Sequence, residues 1–256
     1  MKIICVFNQK GGVGKTTVNI NLSSNLAIRG YKVLTIDLDP QGNTTSGLGI
    51  DKKALEYSTY DLLTSDVDIN SAIVKSSLVD NLYILPSTME LAGAEVELIV
   101  KENREAILKD KIKQLNNEYD FVFIDCPPSL GSLTVNALNA ANSVLIPIQC
   151  EFYALEGVGQ LMNTISLVKK SLNKDIYIEG VVMSMYDART KLSIEVVEEV
   201  KNYFKDKVYE SMIPRNIRLA EAPSFGLPIA LYDMKCRGAE SFEAFTDEFI
   251  KRQGVK

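Results

Sequence analysis

"NQKGGVGKTT", residues 8–17, decides how this chain is read. It follows the apolar run Ile3-Ile4-Cys5-Val6-Phe7 and leads into a stretch with helical spacing. Phosphate-binding loops read G-x-x-x-x-G-K-[ST] between a strand and a helix. Counting back from Gly14-Lys15-Thr16 puts the first glycine at position 9, where Gln9 stands, followed by a second lysine, Lys10. Gly11, Gly12 and Gly14 lack a Cβ, so the backbone from Gly11 through Val13 to Gly14 can curl and aim its N–H groups inward. The helix that follows adds the positive end of its dipole. Lys15 can reach β- and γ-phosphates, and the Thr16 hydroxyl can complete the coordination of Mg²⁺. Thr17 can donate to a phosphate oxygen. A lone G-x-G would leave an ordinary strand-to-helix turn open; G-G-x-G-K-T-T after a buried strand argues strongly against that.

Outward from the loop, short apolar runs rich in β-branched residues recur at 3–7, 33–37, 82–86, 121–125, 143–148, 178–183 and 208–213. Most are continuous rather than alternating, as strands covered on both faces are. Helical patterns fill the gaps. One follows the phosphate loop and stops at Arg29-Gly30, a glycine C-cap signal. A second runs over 193–204 with Val196, Val197, Val200, Tyr203 and Phe204 on one side, and a third over 240–251. Strand–helix alternation along the whole length predicts an α/β fold, a mostly parallel twisted sheet with helices on both faces. With no linker or repeat, residues 1–256 are expected to form one domain.

The 256 residues are 46% hydrophobic and 24% charged, an ordinary globular composition. No run of about 18 apolar residues stands out as a membrane span. The N-terminus enters a strand directly and does not resemble a signal peptide, so a cytoplasmic location is expected. Histidine is absent, which removes the commonest general base and metal ligand. Chemistry must run on carboxylates, lysines, backbone amides or a metal held by oxygens. Cys5, Cys126, Cys150 and Cys236 form no C-x-x-C pair, and reduced core thiols are favoured over cluster ligands. The net charge of −5 gives no global attraction to nucleic acid.

Ligands of such sheets bind beyond the carboxyl ends of the strands. The second strand ends in "TIDLDPQGN", with Asp37 and Asp39 two apart. In an extended segment such residues point the same way, so both carboxylates are expected to face one site. The third end is "FVFIDCPPS". Four apolar residues leading to Asp125 have the form of a Walker B strand, whose aspartate holds Mg²⁺ directly or through water.

These elements together resemble the deviant Walker A ATPases, a branch of the P-loop NTPases, and within them the ParA/Soj-type partitioning ATPases. The resemblance rests on K-G-G-V-G-K-T-T at 10–17, D-x-D-P-Q-G-N at 37–43 and I-D-C-P-P-S at 124–129. It continues through "LAGAEVEL" at 91–98, "IPIQCEFYALEG" at 146–157, "DART" at 187–190 and "IPRNIRLAEAPSFGLPI" at 213–229. The similarity is close to end-to-end, and is greatest to the short chromosomal type without an N-terminal DNA-binding extension.

The resemblance implies ATP and Mg²⁺ as cofactors and an ATP-bound sandwich dimer. Lys10 would reach across the two-fold axis to the neighbour's ATP, and the displaced glycine makes room for it. Such a cation stabilises charge that shifts during γ-phosphoryl transfer, as an arginine finger does in trans. Asp39 would position the attacking water, with Asp37 nearer the metal or supporting the loop. The "IPRN" segment would pack on adenine through Pro214, with Asn216 reading the base edge; a proline turn after a strand is an equally good structural reading. The ATP dimer would bind DNA without sequence preference through Arg189 and Arg218 and associate with the nucleoid. A ParB/Spo0J-type centromere-binding partner would stimulate hydrolysis. Composition does not display the DNA role: positions 185–218 hold seven Lys/Arg against six Asp/Glu.

Two other readings share the loop. A MinD-like membrane-positioning ATPase would need a basic amphipathic tail. Here Glu240, Glu243, Asp247 and Glu248 precede the basic residues, and Phe242, Phe245 and Phe249 recur at helical spacing as a core face would. No membrane partner is therefore expected. A small-molecule ATP-dependent enzyme on the same fold is the third reading.

Overall fold

The structure is a computed structural model that describes residues 1–151 and 156–254. Residues 152–155, inside the "IPIQCEFYALEG" motif, lie outside the described residues.

Among the described residues seven strands form one sheet: β1 (Lys2–Val6), β2 (Val33–Asp37), β3 (Val74–Lys75), β4 (Leu82–Leu85), β5 (Phe121–Asp125), β6 (Ser143–Gln149) and β7 (Tyr177–Ser184). Their spatial order is β3-β4-β2-β5-β1-β6-β7, and every pairing is parallel except β3 with β4. The two central strands therefore lie side by side, with β1 feeding the phosphate loop and β5 carrying Asp125. Successive residues of β5 bury on opposite faces: Val122 and Ile124 on one, Phe121 and Phe123 on the other. That two-sided burial is why these strands read as unbroken apolar runs.

Among the described residues five longer helices cover the sheet: α1 (Lys15–Ile28), α2 (Ser132–Ala140), α3 (Glu156–Ser171), α4 (Lys191–Phe204) and α5 (Arg237–Gln253). α1 and α5 pack on one face, burying Leu22, Leu26, Phe242, Phe245 and Phe249. α2, α3 and α4 cover the other with Leu133, Leu161, Ile165, Val196 and Val200. The expected glycine cap of α1 is present, with Gly30 at φ 93°. α4 starts two residues earlier than predicted because the Thr190 hydroxyl accepts from Ser193 N. α5 starts at Arg237 because the Cys236 sulfur accepts from Ala239 N.

The run 208–213 is not a strand. It follows the edge of β7 through single bridges, Val181 to Val208 and Tyr186 to Pro214. Tyr209 N donates to Val181 O at 2.8 Å and Ile213 N to Met183 O at 2.9 Å. Between them the Glu248 carboxylate of α5 accepts Glu210 N and Ser211 N at 3.0 and 2.9 Å, which takes the amides a ladder would use. The two-residue edge strand β3 is too short to leave a periodic signal and was not predicted.

Candidate active site

The loop after β1 adopts left-handed φ values at Gly12 (75°) and Gly14 (90°), backbone that side-chain-bearing residues rarely take. Gly14 is also the N-cap of α1, and among the described residues no side chain caps that terminus. The first amides of the helix are thus left for a ligand, as an anion site requires. Lys15 is 7% exposed. Its ammonium donates to the Lys10 carbonyl at 3.2 Å. Burial lowers its pKa, opposed by Asp125, Cys126 and Asp39, which places the Asp39 and Asp125 charges within reach of the lysine.

Lys10 goes elsewhere. Its amine lies 3.9 Å from the Glu151 carboxylate with the side chain 38% exposed, so the two lysines of one loop serve different surroundings. Position 9 explains part of the divergence. The Gln9 amide donates to the Thr164 hydroxyl of α3 at 2.9 Å, and Asn8 Oδ1 accepts Lys10 N at 3.0 Å. The residue replacing the usual glycine ties the loop to a helix on the far side of the sheet. Local spacing carries no signal for that contact.

Asp37 and Asp125 sit opposite one another in register on β2 and β5. Both are fully buried, and their environments differ. Asp37 Oδ2 accepts Thr45 N at 2.8 Å and Thr45 Oγ1 at 2.6 Å, and Oδ1 accepts Asp39 N at 3.3 Å. Asp125 Oδ2 accepts the Thr44 hydroxyl at 2.7 Å, while its Oδ1 is buried without a partner among the described residues. Burial first, and for Asp125 the neighbouring Asp37 second, pushes both pKa values up; the Thr44 hydrogen bond and the nearby Thr16 hydroxyl pull Asp125 partly back. A buried orphan carboxylate oxygen beside the Thr16 hydroxyl and the phosphate loop fits a divalent cation held through oxygen. Asp37 accepts on both oxygens from residues of the following loop, Thr45 and Asp39.

Asp39 lies beyond the end of β2 and is only half-buried. Leu34, Ile36 and Leu38 bury in one cluster, so the alternation of β2 runs on past Asp37, and the Asp39 charge acts on Asp37, Asp125 and Lys15. Asp39 Oδ1 accepts Gln41 N at 3.0 Å, and its carbonyl accepts Ser87 Oγ at 2.8 Å. Thr44, Thr45 and Ser87 thus shape this loop, and sequence reading missed all three.

Beside the start of α1 lies a pocket of about 190 Å³, lined by Gly14, Thr17, Met185, Pro214 and Asn216 among others. Pro214 and Asn216 are where a base-binding wall was expected. Asn216 Oδ1 accepts Arg218 N at 2.8 Å, leaving its NH₂ to donate. Met185, at the end of β7, was not singled out; its position at a strand's carboxyl end was the available signal.

Arg189 and Arg218 lie on the surface, Arg189 in a groove that Pro214 and Asn216 also line. Arg189 donates through Nε and Nη2 to Asp187 at 2.9 and 2.8 Å. Arg218 pairs with Glu221 at 2.9 Å and Asp233 at 3.5 Å. Cys5 and Cys126 are buried with sulfurs 3.1 Å apart. Burial pushes the Cys150 thiol to about 12 and raises Cys126 as well. Among the described residues no group of three or more His, Cys, Asp or Glu could hold a metal as a cluster.

The sequence model of an AAA domain family matches residues 1–178. A sporulation initiation inhibitor protein Soj of Bacillus subtilis is 57% identical over 241 residues, 94% of this chain and 95% of the relative. A chromosome partitioning protein ParA of Myxococcus xanthus is 51% identical over 255 residues, covering 100% and 90%. Among solved structures, a cobyrinic acid a,c-diamide synthase from Mycobacterium smegmatis with bound ATP analogue and magnesium is 36% identical, with a TM-score of 0.86 over 100% of this chain and 96% of that one.

Proposed function

This chain belongs to the Soj/ParA family of chromosome-partitioning proteins, and on that premise we propose that it is an ATPase whose ATP-bound dimer holds DNA and whose hydrolysis releases it. The observation that carries the reading is the divergence of the two loop lysines. Lys15 is buried inside the site, and Lys10 is part-exposed with its amine 3.9 Å from Glu151.

In this reading the amides of the loop and Lys15 bind the triphosphate. Thr16 and Asp125 would hold Mg²⁺, which on binding offsets charge on the β- and γ-phosphate oxygens. Asp39, half-buried at the mouth, orients the attacking water. Asp37 keeps the Asp39 loop in place through Thr45. Pro214 and Asn216 hold the adenine. Lys10 serves the nucleotide of a second copy, so loss of the γ-phosphate weakens the dimer. Arg189 and Arg218 contact DNA phosphates from both copies at once. A ParB-type, DNA-bound partner accelerates hydrolysis, and the protein works in the cytoplasm on the nucleoid.

The membrane-positioning alternative is disfavoured by α5, whose Phe242, Phe245 and Phe249 are fully buried against the sheet. Among the described residues no helix is long and apolar enough to cross a membrane. The solved relative named for a diamide synthase keeps a small-molecule reading in play. It requires ATP turnover that depends on an added small acid or amine without DNA or partner.

The test is DNA binding by the Asp39→Ala protein with ATP, with ADP and without nucleotide, at several salt concentrations. Binding should need ATP and weaken steeply as salt rises, because phosphate contacts release counterions. Binding indifferent to nucleotide or salt contradicts the proposal.

A further inference from the structure

Resting on the reading of Arg189 and Arg218 as DNA contacts, we propose that Asp187, Glu221 and Asp233 are affinity-setting residues of the DNA surface, internal stand-ins for phosphate that each arginine must leave to bind the duplex.

Guanidinium groups take carboxylate and phosphate in the same forked geometry. Asp187 fills the fork of Arg189 with two bonds, and it also accepts Arg189 N at 3.0 Å. The guanidinium in turn holds the Asp187 carboxyl down, to about 2. Glu221 and Asp233 divide the donors of Arg218 between them, and Tyr232 Oη donates to the same Glu221 oxygen at 3.2 Å. Lys191, Lys235 and Arg237, close by in sequence, form no ion pair among the described residues, whereas Arg215, between the two arginines in sequence, pairs with Glu151 at 3.3 Å. Carboxylate pairing is thus a feature of Arg189, Arg215 and Arg218 and is not shared by every cation nearby.

Both pairs are exposed, with the Arg189 side chain 89% and the Arg218 side chain 53% accessible. Exposed pairs are weak enough for phosphate to displace, so the carboxylates tune binding rather than block it. Each also remains beside the DNA after displacement, repelling phosphate and recruiting cations. A dimer repeats the arrangement twice. The surface would then hold DNA through the combined contacts of two copies and let go when they separate.

The experiment measures affinity for a random-sequence duplex across a salt series, with ATP, in the Asp39→Ala background. Asp187→Asn keeps an oxygen to accept Arg189 N. It should tighten binding by roughly two- to thirtyfold for two weak pairs per dimer and steepen the dependence on log salt. Asp233→Asn should act in the same direction. Asp80→Asn, which removes one exposed charge paired with Lys75 at the sheet edge, controls for net charge and should change affinity by less than about twofold. Unchanged or weaker binding by Asp187→Asn, or an equal gain from Asp80→Asn, overturns the proposal. Arg189→Glu in the same assay separates the two levels. If it leaves binding intact, the arginine is not a contact and the underlying reading fails; if it weakens binding while Asp187→Asn does nothing, only the carboxylate role fails.

Discussion

The mouth of the phosphate loop and the arginine surface are both built from charged residues, yet they are organised oppositely. At the loop, Lys15, Asp37 and Asp125 are buried, with partners set by the loops that follow the strands and one Asp125 oxygen left without one among the described residues. At the surface, Arg189 and Arg218 meet acids two to fifteen residues away in the chain, in water. A buried charge without its partner costs several kcal/mol, whereas an exposed pair contributes about 0–1 kcal/mol. The first region has one arrangement that pays; the second has several of similar energy. Catalysis calls for the first kind of region and a releasable hold on DNA for the second.

Breaking the first region should produce the largest effects. Asp39→Ala should lower ATP turnover by about 10²–10⁴-fold, the range of a lost general-base or water-positioning group, while ATP binding and dimer formation persist. Steady-state turnover with equilibrium nucleotide binding checks it, and near-normal turnover would remove Asp39 from the mechanism.

The buried aspartates also predict how the nucleotide-free protein responds to pH. Their folded values, about 6 for Asp37 and about 7 for Asp125, lie above the unfolded value of 3.8. The folded state therefore binds more protons in that interval, and stability falls as pH rises from about 4 to about 7 and then levels. Carboxylates held below their usual range, such as Glu179 and Glu248, act in the opposite sense, chiefly at the acid end. Thermal melts from pH 5 to 8 without nucleotide should show the decline, and Asp125→Asn should flatten it. A wild-type melting temperature that climbs through this window would contradict the environment assigned to the pair.

The smallest effect is expected at the surface. Arg189→Glu should leave the denaturant midpoint of unfolding close to that of wild type, even as it weakens DNA binding. A large drop in the midpoint would mean that the arginine supports the fold and would erase the contrast between the regions.

How much of this was legible in the sequence follows the same division. The loop glycines, Lys15 and Asp125 were legible because strand, turn and helix lie together in the chain and the motif records their geometry. The partners that complete the site were not. Gln9 meets Thr164 across 155 positions, and Asp125 meets Thr44 across 81; only folding brings them together. The run 208–213 reads as a strand by composition, yet Glu248 of a later helix takes two of its amides. At the surface the near balance of acids and bases was visible, but not which acid holds which arginine. Asp187 and Arg189 are two apart in a turn, and their pairing depends on that turn's shape.

The central claim is that two copies clasp two ATP molecules, each lending Lys10 to the other's nucleotide. Solution mass of the full chain with saturating non-hydrolysable ATP analogue and Mg²⁺, at tens of micromolar protein, tests it most directly. The account predicts a dimer for wild type and for Asp39→Ala, and a monomer that still binds the analogue for Lys10→Ala. A wild-type monomer under those conditions, or a Lys10→Ala dimer as stable as wild type, would contradict it.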